Sequence, residues 1–240
     1  MAKAQCHECG LVQAMQLPDA NVLNTLYRDE YDIYNNRPSS EQFVLGRYTA
    51  LAQAITASVS SMQPKRVLEV GCGNGSALAA VQNVWKDSIC QGLEPVTSAV
   101  QVAREHGLNV VQGMIGQPLP ESLAHECYDV IYSIHVIEHT DDPVAFLAVL
   151  KKMLAPNGRL IITCPNSRIP NLEIMRTDHN YSMTPYHLSV VARKAGLMPL
   201  KSTLCPGGGE ASRIRPSEDR LTRGLVCWTG KSAGRWLDAT

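Results

Sequence analysis

The sequence has no excess of charge of either sign, because 22 Lys and Arg residues are balanced by 22 Asp and Glu residues. Nothing in this balance would draw the chain to nucleic acid or to an anionic membrane surface. No apolar run approaches the ~20 residues that span a bilayer, and the first residues lack the pattern of a secretory signal. We therefore expect a cytoplasmic protein with no membrane span and no nucleic-acid partner. Its 240 residues suffice for one sizeable core.

The eight cysteines form no spaced framework of the kind used by disulfide-rich secreted proteins. Several lie in or beside β-rich runs, where a reduced cysteine is a small apolar residue. The exception is Cys6-His7-Glu8-Cys9, a C-x-x-C knuckle that is the usual half of a four-cysteine zinc site. Two thiolates cannot close a tetrahedral site, so we predict a shortened knuckle without metal. His7 or a second subunit could complete such a site.

The most informative stretch runs from Val67 to Gly75, where a buried-strand pattern breaks into the turn Gly71-Cys72-Gly73-Asn74-Gly75. Such a turn, followed by a helical run, lets a ligand lie against backbone N–H groups at a helix N-terminus. Dinucleotide sites use G-x-G-x-x-G, but Ser76 stands here in place of the third glycine. Glu94 lies 23 residues after Gly71, about the distance at which an acid binds ribose hydroxyls. The pattern therefore indicates an adenosine ligand without phosphates.

Short β-rich runs alternate with helical patterns, which predicts an α/β fold with a parallel sheet and right-handed crossovers. The predicted strands are 66–70, 88–93, 108–111, 128–134, 158–164, 197–204 and 222–229. The predicted helices are 41–62, 76–84, 96–106, 142–153 and 185–195. The first helix either packs on the sheet or forms a lid over the ligand together with Tyr27, Tyr31 and Tyr34.

Several segments resemble the class I S-adenosylmethionine-dependent methyltransferases, in the right order and at the right spacing over roughly residues 60–230. The glycine turn resembles their first motif, and Gln91-Gly92-Leu93-Glu94-Pro95 resembles their second, acidic motif. Three further segments resemble their fourth strand, the residues after it and the start of the fifth strand: 127–133, 135–139 and 154–162. The resemblance implies a Rossmann-like, seven-stranded sheet with helices on both faces and an antiparallel C-terminal edge hairpin. It divides the chain into a knuckle remnant with a lid segment, 1–38, and a methyltransferase domain, 39–240.

The resemblance also implies S-adenosylmethionine as the cofactor and a small molecule as the methyl acceptor. Backbone near Gly71 and Gly73 would hold the methionine moiety, Glu69 would fix the turn, and Glu94 would bind the ribose. Ser133 and His135 would border the sulfonium. The full set of expected cofactor-binding residues is Glu69, Gly71, Cys72, Gly73, Asn74, Gly75, Glu94, Pro95, Ser133 and His135.

His135-Val136-Ile137-Glu138-His139 matches the H-x-x-E-H signature of some zinc peptidases. It ends a predicted strand inside a methyltransferase layout, however, which argues against peptidase chemistry. The segment is similar to one in the ubiquinone-pathway O-methyltransferases, where an acid, two residues and Glu-His are associated with a divalent cation. His135 replaces that acid, so we expect no metal, although a divalent cation stays open. Glu138 and His139 would line the cofactor pocket, His139 would act as a base, or the histidine would be structural.

Asp178-His179-Asn180-Tyr181 follows the fifth strand of the resembled fold, at the sheet edge where open α/β sheets bind ligands. Similar methyltransferases place a histidine in this loop, facing the acceptor. His179 is therefore the predicted general base or substrate-orienting group, which Asp178 could orient. The alternative is a loop histidine with no special role.

Together these features predict methyl transfer to a small molecule, at a hydroxyl oxygen, by in-line displacement with a histidine base. His179, His139 and Glu138 are the predicted catalytic residues. Carbon methylation of a sugar nucleotide is one alternative. The other is an inactive cofactor-binding scaffold or partner subunit, and a homodimer stays open.

Overall fold

The computed structural model describes residues 2–17, 41–59, 62–124, 127–167, 179–205 and 223–229. The tyrosines of the predicted lid, Tyr27, Tyr31 and Tyr34, lie outside these residues, as does Asp178. The lid and the orienting role of Asp178 therefore stay predictions.

Ten strands and six α-helices make up the described residues. In chain order the strands are β1 (Lys3–Gln5), β2 (Val12–Ala14), β3 (Arg66–Val70), β4 (Ile89–Glu94), β5 (Val110–Gln112), β6 (Tyr128–Ile134), β7 (Leu154–Pro165), β8 (Tyr181–Ser182), β9 (Met198–Cys205) and β10 (Arg223–Thr229). The helices are α1 (Glu41–Ser58), α2 (Ser76–Val84), α3 (Thr97–Glu105), α4 (Glu121–Ala124), α5 (Pro143–Met153) and α6 (Pro185–Lys194), with a 3₁₀ turn at Ile137–His139.

Seven strands form the central sheet, in the order β5-β4-β3-β6-β7-β10-β9. The first five of these strands run parallel to their neighbours. β10 runs antiparallel to β7 and to β9, which closes the edge with a hairpin. The predicted Rossmann-like sheet with an antiparallel C-terminal edge is thus confirmed. Because β4 and β6 flank β3 on opposite sides, the chain leaves β3 at the switch point where such sheets bind ligands.

A local capping signal places the start of α5 within one residue of the predicted start. The Asp142 side chain accepts hydrogen bonds from the N–H groups of Val144 and Ala145, at 2.8 and 2.9 Å, so α5 begins at the next residue, a proline.

α1 ends at Ser58, earlier than the predicted 62. The Ser58 hydroxyl donates to the carbonyl of Ile55 at 2.6 Å, a local side-chain bond that competes with continuation of a helix.

Both faces of the sheet are buried, and alternate residues of a strand enter opposite cores. In β7, Leu160 and Ile162 belong to the core cluster that includes residues of α5 and α6, whereas Ile161 belongs to the cluster that includes residues of α1, α2 and α3. All three side chains are fully buried. Burial of each such side chain is worth about 1.5–3 kcal/mol, so this two-sided packing holds the strand ends, and the loops that follow them, in place.

A second, three-stranded sheet joins the N-terminal residues to β8. Its order is β1-β2-β8, and β2 pairs antiparallel with β8 through Val12 with Ser182 and Gln13 with Tyr181. The N-terminal residues 2–17 therefore lie next to the predicted base, His179. Among the described residues, no helix combines the length and hydropathy that crossing a membrane would require.

Candidate active site

The glycine turn after β3 is shaped by two positions that exclude a side chain. Gly71 has a φ of 73°, and a Cβ added there would collide with Val136. Gly75 has a φ of 80°, and its added Cβ would collide with Leu108. Left-handed φ values favour glycine, so both residues are required by conformation and by space. Because Val136 belongs to the segment after β6, the turn and that segment are in direct contact.

Glu94, at the end of β4, ties the turn to the neighbouring strand. One carboxylate oxygen accepts the Gly73 N–H at 2.8 Å and the other accepts the Val96 N–H at 3.0 Å. The side chain is buried, and burial raises its pKa although both backbone N–H groups act in the opposite direction. Glu94 therefore lies beside the predicted cofactor turn and holds part of it.

Glu69, which the sequence analysis assigns to the turn, has a different partner. Its carboxyl group accepts the Tyr132 hydroxyl at 3.0 Å, across the paired strands β3 and β6. Burial raises the pKa of Glu69 well above its ordinary value. The contact to the turn comes from Glu94, and Glu69 belongs to a buried polar pair beneath it.

The side chains of four other expected cofactor residues lie in different surroundings. Asn74 holds the start of α2, since its side-chain oxygen accepts the Ser76 N–H at 3.2 Å and the Ser76 hydroxyl at 2.7 Å. The Cys72 thiol packs in the core, where burial raises its pKa, so only its backbone belongs to the turn. The Ser133 hydroxyl donates to the Val70 carbonyl at 2.9 Å inside the sheet. Pro95 is exposed.

The segment after β6 begins with a strained residue. His135 has a φ of 57°, which is uncommon outside glycine and occurs often at functional sites. Its Nδ1 lies 3.0 Å from a carboxylate oxygen of Glu138, whose side chain is 1% exposed. Burial alone would raise the pKa of Glu138, but the hydrogen bond from His135 and the nearby His139 and His179 outweigh it and lower the pKa. Glu138 is therefore held as a buried carboxylate.

The two predicted catalytic histidines come together at this carboxylate. The ring centroids of His139 and His179 are 4.8 Å apart, with an interplanar angle of 82°. One donor atom from each ring and one Glu138 oxygen all lie within 4.8 Å of one another. Glu138 Oε2 is buried with no hydrogen-bond partner in the described part of the chain. A carboxylate with two imidazoles can relay or hold a proton, and the same donors suit a divalent cation.

Asn180 connects this cluster to its surroundings and has no role in the sequence analysis. Its side-chain N–H₂ donates to the backbone carbonyls of His139 and Thr140, at 2.9 and 3.3 Å. The backbone carbonyl of Asn180 accepts the Ala14 N–H at 2.8 Å. Asn180 thus links the His179 loop to the 3₁₀ turn and to the N-terminal sheet. Its position beside His179 is the only sequence signal, because these partners lie far away along the chain.

Comparison with known proteins agrees with this geometry. A family profile described as a methyltransferase domain matches residues 45–198. The ubiquinone biosynthesis O-methyltransferase of Aeromonas salmonicida is 27% identical over 161 residues, which cover 60% of this chain and 67% of that protein. The corresponding protein of Cereibacter sphaeroides is 29% identical over 157 residues, 58% of this chain and 62% of the other. The matched part of the chain spans about two thirds of the length of these relatives.

Solved structures share the fold. A chain from the complex of the Haloferax volcanii Trm112 methyltransferase activator with a methyltransferase matches with a TM-score of 0.68 and 18% identity, over 87% of this chain and 99% of the other. An S-adenosylmethionine-dependent methyltransferase from Thermotoga maritima matches with a TM-score of 0.63 and 20% identity, over 88% and 99%. The family profile covers more than half of the sequence. The glycine turn, the acidic end of β4 and the order of the strands agree with this family. The chain therefore belongs to the class I S-adenosylmethionine-dependent methyltransferases.

Proposed function

We propose that this chain transfers the methyl group of S-adenosylmethionine to a hydroxyl oxygen of a small molecule, with His179 as the base. The observation that carries the proposal is the cluster of buried Glu138 and His179 with half-buried His139 beside the glycine turn. Contact between Val136 and Gly71 makes the cluster and the turn neighbours. An acceptor bound at the cluster would therefore lie close to a cofactor bound at the turn.

The residues of the turn fit this cofactor. The absence of a side chain at Gly71 lets Val136, from the segment after β6, pack directly against the backbone of the turn. The Gly73 backbone and the Glu94 carboxylate, 2.8 Å apart, would hold the methionine moiety and the ribose, respectively. When bound, the cofactor supplies a methyl carbon that its sulfonium already makes electrophilic.

The chain's own contribution is orientation and proton transfer. A ring nitrogen of His179 would take the proton of the acceptor hydroxyl as that oxygen receives the methyl group. His139 packs edge-on against that ring and restricts its orientation. Glu138 is held as a carboxylate by its lowered pKa, so it stabilises the positive charge that the histidine gains. A positioned base of this kind contributes about 10²–10⁴-fold to the rate.

The relatives support oxygen as the acceptor atom. Ubiquinone biosynthesis O-methyltransferases from several bacteria, a tocopherol O-methyltransferase of rice and a mitomycin 7-O-methyltransferase are among the similar proteins. Structures of N-methyltransferases share the fold as well, so the acceptor atom requires a direct test.

A second candidate mechanism depends on a divalent cation, and a specific observation favours it. Glu138 has a buried oxygen with no hydrogen-bond partner in the described residues, next to two imidazoles. Mixed imidazole and carboxylate donors suit Zn²⁺ or Mn²⁺. In this version Glu138, His139 and His179 would hold the cation, and turnover would require the metal.

The test combines product identification with chelation. The full chain is incubated with methyl-labelled S-adenosylmethionine and a panel of phenols, catechols and sugar nucleotides, before and after treatment with EDTA. A labelled methyl ether formed equally well after chelation supports the proposed base mechanism. A methyl group on carbon or nitrogen would contradict the proposed acceptor atom. Loss of turnover on chelation, restored by Zn²⁺ or Mn²⁺, would replace the base with the cation mechanism.

A further inference from the structure

Cys6 and Cys9 lie in the turn between β1 and β2, and both thiols are exposed and unoxidised. The turn is closed by backbone hydrogen bonds: the Cys6 carbonyl accepts the Gly10 N–H at 2.9 Å, and the Cys6 N–H donates to the Leu11 carbonyl at 2.8 Å. Gly10 has a φ of 77°, a left-handed conformation that lets the chain reverse here. The two thiols therefore stand on an ordered turn.

The spacing of the two cysteines is that of a metal-binding knuckle, in which two residues separate the thiols. Because both thiols are exposed on one turn, they form the half-site that a C-x-x-C zinc knuckle presents.

This half-site is anchored to the methyltransferase fold. The Cys9 carbonyl lies 2.8 Å from Nε2 of His187, which is buried at the start of α6. Leu11 packs against the large core cluster, and β2 pairs with β8. Because these contacts position the knuckle before any ligand binds, little conformational entropy remains to be lost on binding.

Two thiolates fill only half of a tetrahedral site. Zinc in structural sites takes four ligands, but among the described residues the only cluster of three possible ligands is Glu138 with His139 and His179. No third donor therefore joins Cys6 and Cys9 in this part of the molecule, and His7 does not do so in this conformation. The sequence contains no second C-x-x-C pair.

We propose that Cys6 and Cys9 bind one Zn²⁺ together with the same two cysteines of a second copy of this chain. A two-fold axis through the metal would make the contact isologous, as in most protein dimers, and would complete a four-thiolate tetrahedral site. Each thiol releases its proton to solvent when it binds, so the step needs no oxidant. The balanced charge of the chain gives no net repulsion between two copies.

The test measures metal content and mass together. The reduced full chain is titrated with Co²⁺ as a spectroscopic substitute for Zn²⁺, then with Zn²⁺, and its mass is followed by analytical ultracentrifugation. We expect thiolate-to-cobalt charge-transfer absorption that saturates at one metal per two chains, with a doubling of mass that EDTA reverses. Absorption that saturates at one metal per chain without a change in mass would overturn the shared site. Absence of the thiolate absorption would overturn metal binding itself.

Matched variants separate the knuckle from other thiols. Cys6→Ser and Cys9→Ser should each abolish the charge-transfer absorption and the metal-dependent dimer, whereas Cys127→Ser, at another exposed thiol, should leave both unchanged. Circular dichroism should stay the same for all three, because the substituted side chains are exposed. Dimers that persist in Cys6→Ser with EDTA present would show that the copies associate elsewhere, which would overturn the proposal.

Discussion

His139 and His179 lie edge to face, 4.8 Å apart between ring centroids, although α5 and β7 lie between them along the chain. Both rings lie beside the buried Glu138 carboxylate. The relationship depends on two neighbouring parallel strands, β6 and β7, ending at the same edge of the sheet. It brings two separately predicted residues into one cluster.

Replacement of the proposed base should affect turnover and leave cofactor binding intact. His179→Gln is expected to lower kcat by about 10²–10⁴-fold, because a general base contributes that much. Steady-state kinetics with an acceptor identified in the labelling test gives kcat, and calorimetry with S-adenosylhomocysteine gives the affinity. His106→Gln, at an exposed position after α3, is the matched control. Full turnover in His179→Gln would exclude His179 as the base.

Glu94→Gln should weaken cofactor binding whatever the acceptor is. The carboxylate holds the Gly73 N–H and is proposed to bind the ribose, and hydrogen bonds to charged groups are worth about 1.5–3 kcal/mol each. We expect a loss of roughly tenfold to hundredfold in S-adenosylhomocysteine affinity, measured by calorimetry. Glu121→Gln, an exposed carboxyl at the start of α4, should bind normally. Equal affinities for the two variants would refute the ribose assignment.

Gly71→Ala should damage the turn for two separable reasons. The left-handed φ costs an alanine about 1–2 kcal/mol, and collision with Val136 adds about 1–3 kcal/mol of overpacking. Chemical denaturation should therefore show a lower free energy of unfolding. In the double variant Gly71→Ala/Val136→Ala, the collision is removed and the φ strain stays. The double variant should therefore lose less free energy of unfolding than the two single variants lose in total. Strict additivity would mean that Val136 does not contact the turn.

Asn180→Ala should loosen the histidine pair, since it removes the bonds to the His139 and Thr140 carbonyls. Each partly buried carbonyl left without its partner costs up to about 3 kcal/mol of stability, so the melting temperature should fall. The ring resonances of His139 and His179 in NMR spectra should shift as well, which a remote destabilisation would not produce. Asn83→Ala, at an exposed position in α2, provides the control, and unchanged histidine resonances would count against a positioning role.

Glu69 should make stability depend on pH. Burial raises its pKa above the ordinary 4.5, so above about pH 4.5 the native state holds a proton that the unfolded state releases. The free energy of unfolding therefore falls as pH rises toward the folded-state pKa, by at most about 1.4 kcal/mol per pH unit. Glu69→Gln removes this loss and can still accept the Tyr132 hydroxyl. Its melting temperature should gain on the parent as the pH rises above about 4.5, and a constant difference would contradict the raised pKa.

The fold is largely predictable because its signals are local. Strand and helix patterns repeat over a few residues, and caps such as Asp142 act on the next turn of chain. The conformation of Gly71 is equally local, since only glycine adopts a φ of 73° easily. Boundaries such as the end of α1 differ from the prediction because weak side-chain bonds near Ser58 decide them.

The sequence by itself therefore determined the alternation of strands and helices, the glycine turn and the identity of the groups able to do chemistry. The tertiary structure alone decided their partners. It paired Glu69 with Tyr132, gave the turn contact to Glu94, and placed Asn180 between His139 and the N-terminal sheet. These contacts join residues that are distant along the chain, so they depend on strand order and register, which are set by burial of both sheet faces.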